Sequence, residues 1–287
     1  MAILFLAASL AITQIAIGAP LFNVPAQEYV LDYLRKYRYL EPGESPTSGK
    51  GALSAALKRF QFDTGLKPEG ILNLETLQMM TQPRCGNPSF SSGGRRKRFV
   101  PHGIKWLKRT LTWKLNDPYD LLGKYEKSVV RTTLHRAFND WSSASKRSLR
   151  FSEHEKEDGK ANFNIFFARG DHNDSLPFDG RAGIVAHGFY PTNGNLHFDA
   201  DEHWTLYMAD GVNLYQTAMH EIGHLLGLEH SNDYNAVMFP INRPYDPLFK
   251  LGDDDIRGIR YMYAPWAWTT YINRYLNQVW ARNLASS

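Results

Sequence analysis

The chain has 287 residues, 43% hydrophobic and 22% charged, with a formal charge of +4. This composition excludes a disordered chain and leaves room for one large domain plus a smaller one. The positive excess is local: Arg95, Arg96, Lys97, Arg98, Lys105, Lys108 and Arg109 lie within residues 95–109 with no acid among them. One cysteine, Cys85, stands alone in PRCGNPS and has no second cysteine to pair with.

The opening MAILFLAASLAITQIAIGAP is apolar for about seventeen residues, short for a membrane span and suited to the apolar core of a secretion signal. Ala16 and Gly18 form a small-x-small site that places cleavage after Gly18, although only the amino terminus supplies the usual leading charge. A retained membrane anchor is the alternative. A secreted chain has little use for a nucleic-acid patch, so the run RRKR at 95–98 reads as a solvated charged face or a processing site.

Residues 25–82 carry three helical patterns. EYVLDYLRKYRYL repeats apolar residues at three- and four-residue steps, GALSAALKRFQFDTG does so again with Gly65 as its stop, and Asn73 caps LETLQMM. GNPSFSSGGRRKR at 86–98 turns to Gly, Ser, Pro and base, a composition that favours exposure to proteases. Beyond Phe99, TLTWKLN, LRFSEH and NFNIFFA read as strands and EKSVVRTTLHRAFNDWSSAS as an amphipathic helix. Residues 170–200 lack periodicity and read as a long loop of the functional or ion-stabilised kind. Helical pattern returns at 211–228 and 253–263.

The chemistry concentrates in HEIGHLLGLEH at 220–230. On a helix, residues four apart share a face, so His220 and His224 can aim two imidazoles at one ion. Zinc accepts neutral imidazoles in a tetrahedral shell and keeps one position open in enzymes. Glu221 stands beside the first ligand, placed to take a proton from water in that open position. A third ligand, His230, requires the helix to end, and Gly227 permits the left-handed residue that ends it.

This extended motif defines the metzincins. Within them the chain resembles the matrix metalloproteinases over residues 25–264, with Ser231 after the third histidine and Met238 at the place of the family's Met-turn. The resemblance implies an α+β architecture: a helical propeptide bundle, similar to a peptidoglycan-binding unit, then a catalytic domain of a twisted five-stranded sheet and three helices. The implied divisions are a signal peptide at 1–18, a propeptide at 19–98, a catalytic domain at 99–265 and a tail at 266–287. No propeller domain is recognisable, so the likeness is to a short form.

The resemblance also implies roles for other residues. Cys85 matches the cysteine switch, whose thiolate holds the fourth zinc position in the latent form and would explain its lack of a disulfide partner. RRKR matches the cleavage site of furin-like convertases, and cutting after Arg98 frees Phe99, whose ammonium can pair with Asp254 or Asp255; Asp254 is the choice made here. His172, Asp174, His187 and His197 stand at the structural-zinc positions, giving two zinc ions in all. Asp179, Asp199 and Glu202, with the backbone carbonyls of Gly180, Ala182 and Ile184, match a calcium site.

Gly183–His187 resembles the edge strand that pairs with an extended substrate. The implied partners are extracellular protein substrates and tissue-inhibitor-type proteins.

The chain departs from the family pattern in four places. Ser89 replaces the aspartate that pairs with the switch arginine, Arg84, so Arg84 loses that ion pair. Asn162 and Asn195 replace aspartates of a second calcium site. Gln216 replaces a leucine on the wall of the specificity pocket, where a hydrophobic substrate side chain is expected. In the tail, Trp268, Ile272, Leu276 and Val279 form an apolar stripe with Arg274 and Arg282, which reads as packing on the domain or, less commonly, as a membrane-surface helix. The alternatives in function are another metzincin, such as an astacin-like protease, and a non-catalytic metal-binding module; Ser231 and Cys85 argue against the first, Glu221 against the second.

Overall fold

The computed structural model describes residues 24–40, 51–89, 103–154 and 159–264. The signal segment, RRKR with Phe99, and the tail at 266–287 lie outside the described residues. Among the described residues no helix is long and apolar enough to cross a membrane.

Three helices open the described chain: α1 (Val24–Lys36), α2 (Ala52–Asp63) and α3 (Leu74–Met80). Their apolar stripes meet through Val30, Tyr33, Leu34, Ala56, Leu57, Phe60 and Met80. Burial of each of the larger aliphatic and aromatic side chains among these contributes roughly 1.5–3 kcal/mol. Local chemistry sets the ends. Gly65, at φ +71°, turns the chain after α2. The Asn73 side chain accepts from the Thr76 backbone N–H at 2.8 Å and caps α3. The cluster continues into Ala168, Phe178 and Ile184, so the helical unit is seated on the part of the chain that follows.

That part is built on a mixed sheet. Its strands are β1 (Arg84–Cys85), β2 (Thr110–Leu115), β3 (Arg150–Glu153), β4 (Phe163–Ala168), β5 (Ile184–Gly188) and β6 (Asn195–Asp199). They lie in the order β1-β5-β6-β4-β2-β3, all neighbours parallel except β5 and β6. Five strands were expected, and β2 to β6 are those five. The sixth, β1, is the Arg84–Cys85 segment of PRCGNPS. Alternation buries Leu111, Trp113 and Leu115 of β2 beneath α4 (Lys124–Ala144), which presents Val130, Leu134, Ala137, Phe138 and Trp141 at helical spacing. A short pair, β7 (Trp204–Thr205) and β8 (Val212–Asn213), leads into α5 (Leu214–Leu225); α6 (Asp253–Tyr263) closes the described chain.

Residues 170–200 are not loop throughout, since β5 and β6 lie within them. All five residues of β5 are buried, so the polar–apolar alternation that marks a one-sided strand is missing there.

Candidate metal centres and active site

Helix α5 is buried along its whole length, and His220 and His224 sit one turn apart on it with Nε2 atoms 3.1 Å apart. The helix stops at Leu225, and Gly227, at φ +93°, reverses the chain. A Cβ on Gly227 would meet the Ile104 carbonyl at 2.6 Å. The reversal brings His230 Nε2 to 3.2 Å from His224 Nε2. Each ring is oriented from behind: Nδ1–H of His220 donates to the Val237 carbonyl and that of His224 to the Leu228 carbonyl, both at 2.7 Å. Both bonds leave Nε2 as the lone-pair nitrogen. Burial pulls His220 down to about 4, so its imidazole is neutral and able to ligate.

Met238 lies beneath this arrangement, and a Cβ on Gly223 would stand 2.2 Å from its sulfur, which explains a glycine inside the helix.

Cys85 Sγ reaches the same point, 3.5 Å from His224 Nε2 and 3.6 Å from Glu221 Oε2. The four ligand atoms of Cys85, His220, His224 and His230 lie within 4.8 Å of one another. Three imidazoles and a buried thiol converging on one point are the donor set of a tetrahedral zinc. Burial raises the Cys85 thiol, and the charge of Glu221 raises it further. A divalent cation among the histidines supplies the countercharge a thiolate needs there. Burial likewise pushes Glu221 up to about 8, and its Oε1 is buried with no hydrogen-bond partner.

The segment around Cys85 is held as a strand between two walls. Arg84 N–H donates to the Gly183 carbonyl at 3.0 Å and Gly86 N–H to Ala186 at 2.8 Å, along β5. On the other side Cys85 N–H donates to the Pro240 carbonyl and Asn242 N–H to that of Pro83. The expected substrate edge is therefore covered by β1, running parallel to β5.

Arg84 is 1% exposed. The expected ion pair with position 89 is absent, and the arginine is partnered by other groups instead. Its guanidinium donates to Tyr33 Oη at 2.7 Å and to Ser89 Oγ at 2.8 Å, and lies 3.6 Å from the centre of the Tyr37 ring. Ser89 Oγ also lies 3.1 Å from His230 Nδ1. With Nε2 kept for the ion, Nδ1–H donates, so Ser89 joins the switch arginine to the third histidine.

A second convergence forms at His172, Asp174, His187 and His197. His172 Nε2, His187 Nε2, His197 Nδ1 and Asp174 Oδ2 are separated by 2.9 to 3.3 Å. The centre of such a tetrahedron lies about 1.9 Å from each vertex, close to the roughly 2.0–2.1 Å of a zinc–nitrogen bond. Burial and the neighbouring His187 pull His197 down to about 3, keeping it neutral. The donor set fits zinc and leaves no open position.

Asp179, Asp199 and Glu202 surround the 179–184 loop but do not converge within 4.8 Å as the two zinc-type sets do. Asp179 Oδ1 accepts from Ile184 N–H and Glu202 Oε1 from Ala182 N–H. Asp199 Oδ2 is buried without a hydrogen-bond partner. Burial raises Asp199 and Glu202 from their ordinary values, helped by the charges of Asp201 and Asp179 on the first and of Asp199 and Asp179 on the second. A buried, unpartnered carboxylate oxygen among like charges fits a cation with oxygen ligands.

The second calcium position is different. Asn162 Oδ1 accepts from Thr112 N–H, and Asn116, Asn164 and Asn195 bond in a ladder of side-chain amides. Neutral groups satisfy one another where the family carries charge.

Beside Glu221 and His220 lies a cavity of about 30 Å³, walled also by Gln216, Val237, Phe239 and Arg243. Gln216 is 4% exposed. Its amide N–H groups donate to the carbonyls of Arg243 and Pro244 at 3.3 and 3.2 Å, and its Oε1 accepts from Asp246 N–H at 2.7 Å. A leucine could make none of these bonds.

Two contacts escaped the sequence reading. Asp255 accepts from the backbone N–H groups of Val237, Met238 and Gly252 and so pins the segment under the histidines. Ser231 donates to Asp254 Oδ2 at 2.7 Å. Phe99, the expected partner of Asp254, is outside the described residues. Three acids in a row at 253–255 were the only signal, and they do not distinguish a helix start from a tether.

Two histidines one turn apart, a glycine turn and a third histidine above a methionine make this a metzincin-type centre. Residues 105–264 match the matrixin family model, and residues 30–80 match the peptidoglycan binding domain model. The hatching enzyme of Paracentrotus lividus is 34% identical over 242 residues, covering 83% of this chain and 38% of that protein. Matrix metalloproteinase-16 of Homo sapiens is 37% identical over 252 residues, 81% of this chain and 41% of its own length. Interstitial collagenase of Sus scrofa is 39% identical over 246 residues, 83% and 49% respectively. The chain belongs to the matrixin family. It spans less than half the length of these relatives.

Proposed function

We propose that this chain is the secreted zymogen of a zinc-dependent endopeptidase that cleaves extracellular proteins. The observation that carries the proposal is the position of Glu221, buried and 3.6 Å from the Cys85 sulfur that converges with the three histidines. Zinc at His220, His224 and His230 would supply Lewis acidity toward the scissile carbonyl and lower the pKa of a water. Glu221 takes the proton of the attacking water and hands it to the leaving amine. His220 and His224 hold their tautomers through the Val237 and Leu228 carbonyls. The β5 edge, once β1 leaves, pairs with an extended substrate. The short cavity closed by Gln216 favours a small side chain after the scissile bond over a long one.

In the latent form Cys85 fills the position the water needs. His172, Asp174, His187 and His197 hold a structural zinc, and the 179–202 region holds calcium. A furin-like convertase cuts after Arg98, and tissue-inhibitor-type proteins act as inhibitors of the mature form; both follow from the family resemblance and the RRKR run.

One experiment tests the core. The full chain and its Glu221→Ala variant are expressed in convertase-competent cells, and the secreted product is sequenced and assayed on quenched peptides. The product should begin at Phe99, and the variant should lose about 10²–10⁴ of the rate. Equal hydrolysis by both proteins would sink the catalytic assignment.

A further inference from the structure

The loop assigned to calcium is also where the propeptide touches the catalytic domain by charge. Lys36, in the last turn of α1, places its Nζ 2.9 Å from Asp179 Oδ2. The other oxygen, Oδ1, is taken by Ile184 N–H at 2.7 Å. Both oxygens of this carboxylate are therefore engaged while the helical unit is docked. The pair borders a cleft of about 250 Å³ between α1 and the loop, lined also by Tyr29, Asp32, Ala182 and Gly183. Asp199, on the far side of the loop, keeps a buried oxygen without a partner.

We infer that the Lys36 ammonium and calcium contend for the Asp179 carboxylate, so that calcium binding and propeptide docking oppose each other. The inference rests on the calcium reading given above. A bound divalent cation draws on the charge of Asp179 and leaves the Lys36 ammonium facing positive charge, which weakens the pair. Linkage makes the effect reciprocal: whatever factor docking takes from calcium affinity, calcium takes from docking. The pair is 42% and 40% exposed, so water and salt screen it and the factor is small, about two- to fivefold. Arg35, its neighbour, is a natural control, because its guanidinium pairs instead with Asp32 on the same helix.

The test uses the full chain and reads calcium binding directly. Trp204 donates its indole N–H to the Asp199 carbonyl at 2.7 Å, so it can sensitise terbium luminescence at this loop, and calcium is then titrated to displace terbium. Lys36→Met should tighten calcium binding about two- to fivefold and Arg35→Met should leave it unchanged. Equal affinity in wild type and Lys36→Met overturns the contention while the calcium site stands; an equal gain from Arg35→Met overturns it in favour of general charge. If no terbium signal is displaced by calcium in any of these proteins, the calcium reading falls and the inference with it.

A second readout is the rate at which a thiol reagent modifies Cys85, which follows the fraction of open chain. Calcium should speed it about two- to fivefold in wild type and leave Lys36→Met unaffected. No acceleration in wild type overturns the reciprocal half of the inference.

Discussion

The two histidine clusters differ in where their fourth donor comes from. His172, Asp174, His187 and His197 belong to one continuous stretch and are closed by their own loop and strands. His220, His224 and His230 are closed by Cys85, 139 positions from His224 and on the far side of the RRKR run. Burial lowers His187 and His197 in one shell and His220 in the other, with His197 near 3 and His220 near 4. Chemically they are similar donor sets. A shell completed by its own loop has no way to open short of unfolding, whereas one completed by a removable strand is blocked but can be cleared. On the proposed reading, the same tetrahedral preference would serve structure in one place and latency in the other.

The contrast can be broken at either end. His197→Ala should lower the zinc content from two to one and reduce Tm by about 10 °C, as loss of roughly 4 kcal/mol implies for a chain of this size. An unchanged zinc count by elemental analysis would remove the structural assignment. Cys85→Ser should raise peptide hydrolysis by the uncleaved chain about a hundredfold while the count stays at two, since a hydroxyl is a far poorer zinc ligand than a thiolate. A silent variant with an intact fold would argue that latency does not reside in the thiolate.

Two smaller effects sharpen the comparison on the removable side. Gln216→Leu releases the 243–246 segment, and selectivity for leucine over alanine after the scissile bond should rise about tenfold. Unaltered selectivity would show that the cavity is closed by Arg243 or Phe249 instead. Ser89→Asp places a carboxylate between Arg84 and His230, and activation by thiol reagents should slow by about threefold. Faster activation would show that the hydroxyl holds the switch better than a charge does.

Some of this was legible because it is local. The helical face shared by His220 and His224 follows from a four-residue spacing, and the left-handed turn at Gly227 from the lack of a Cβ. The Asn73 cap and the Gly65 stop are equally local. Strands β5 and β6 were not foreseen by periodicity, since burial on both faces erases the alternation. The sequence shows that Arg84 lacks its aspartate, but not that Tyr33, Tyr37 and Ser89 surround it.

The sequence by itself determined the candidate donor groups, the glutamate beside them and the unpaired cysteine, because residue type and helical spacing are properties of residues and short segments. Tertiary structure alone decided that Cys85 meets those histidines, that β1 occupies the substrate edge, that Ser89 bridges Arg84 to His230, and that Lys36 sits on Asp179. Each of these contacts joins residues far apart in the chain, so it exists only after the helical unit has packed on the sheet and buried their shared apolar surface.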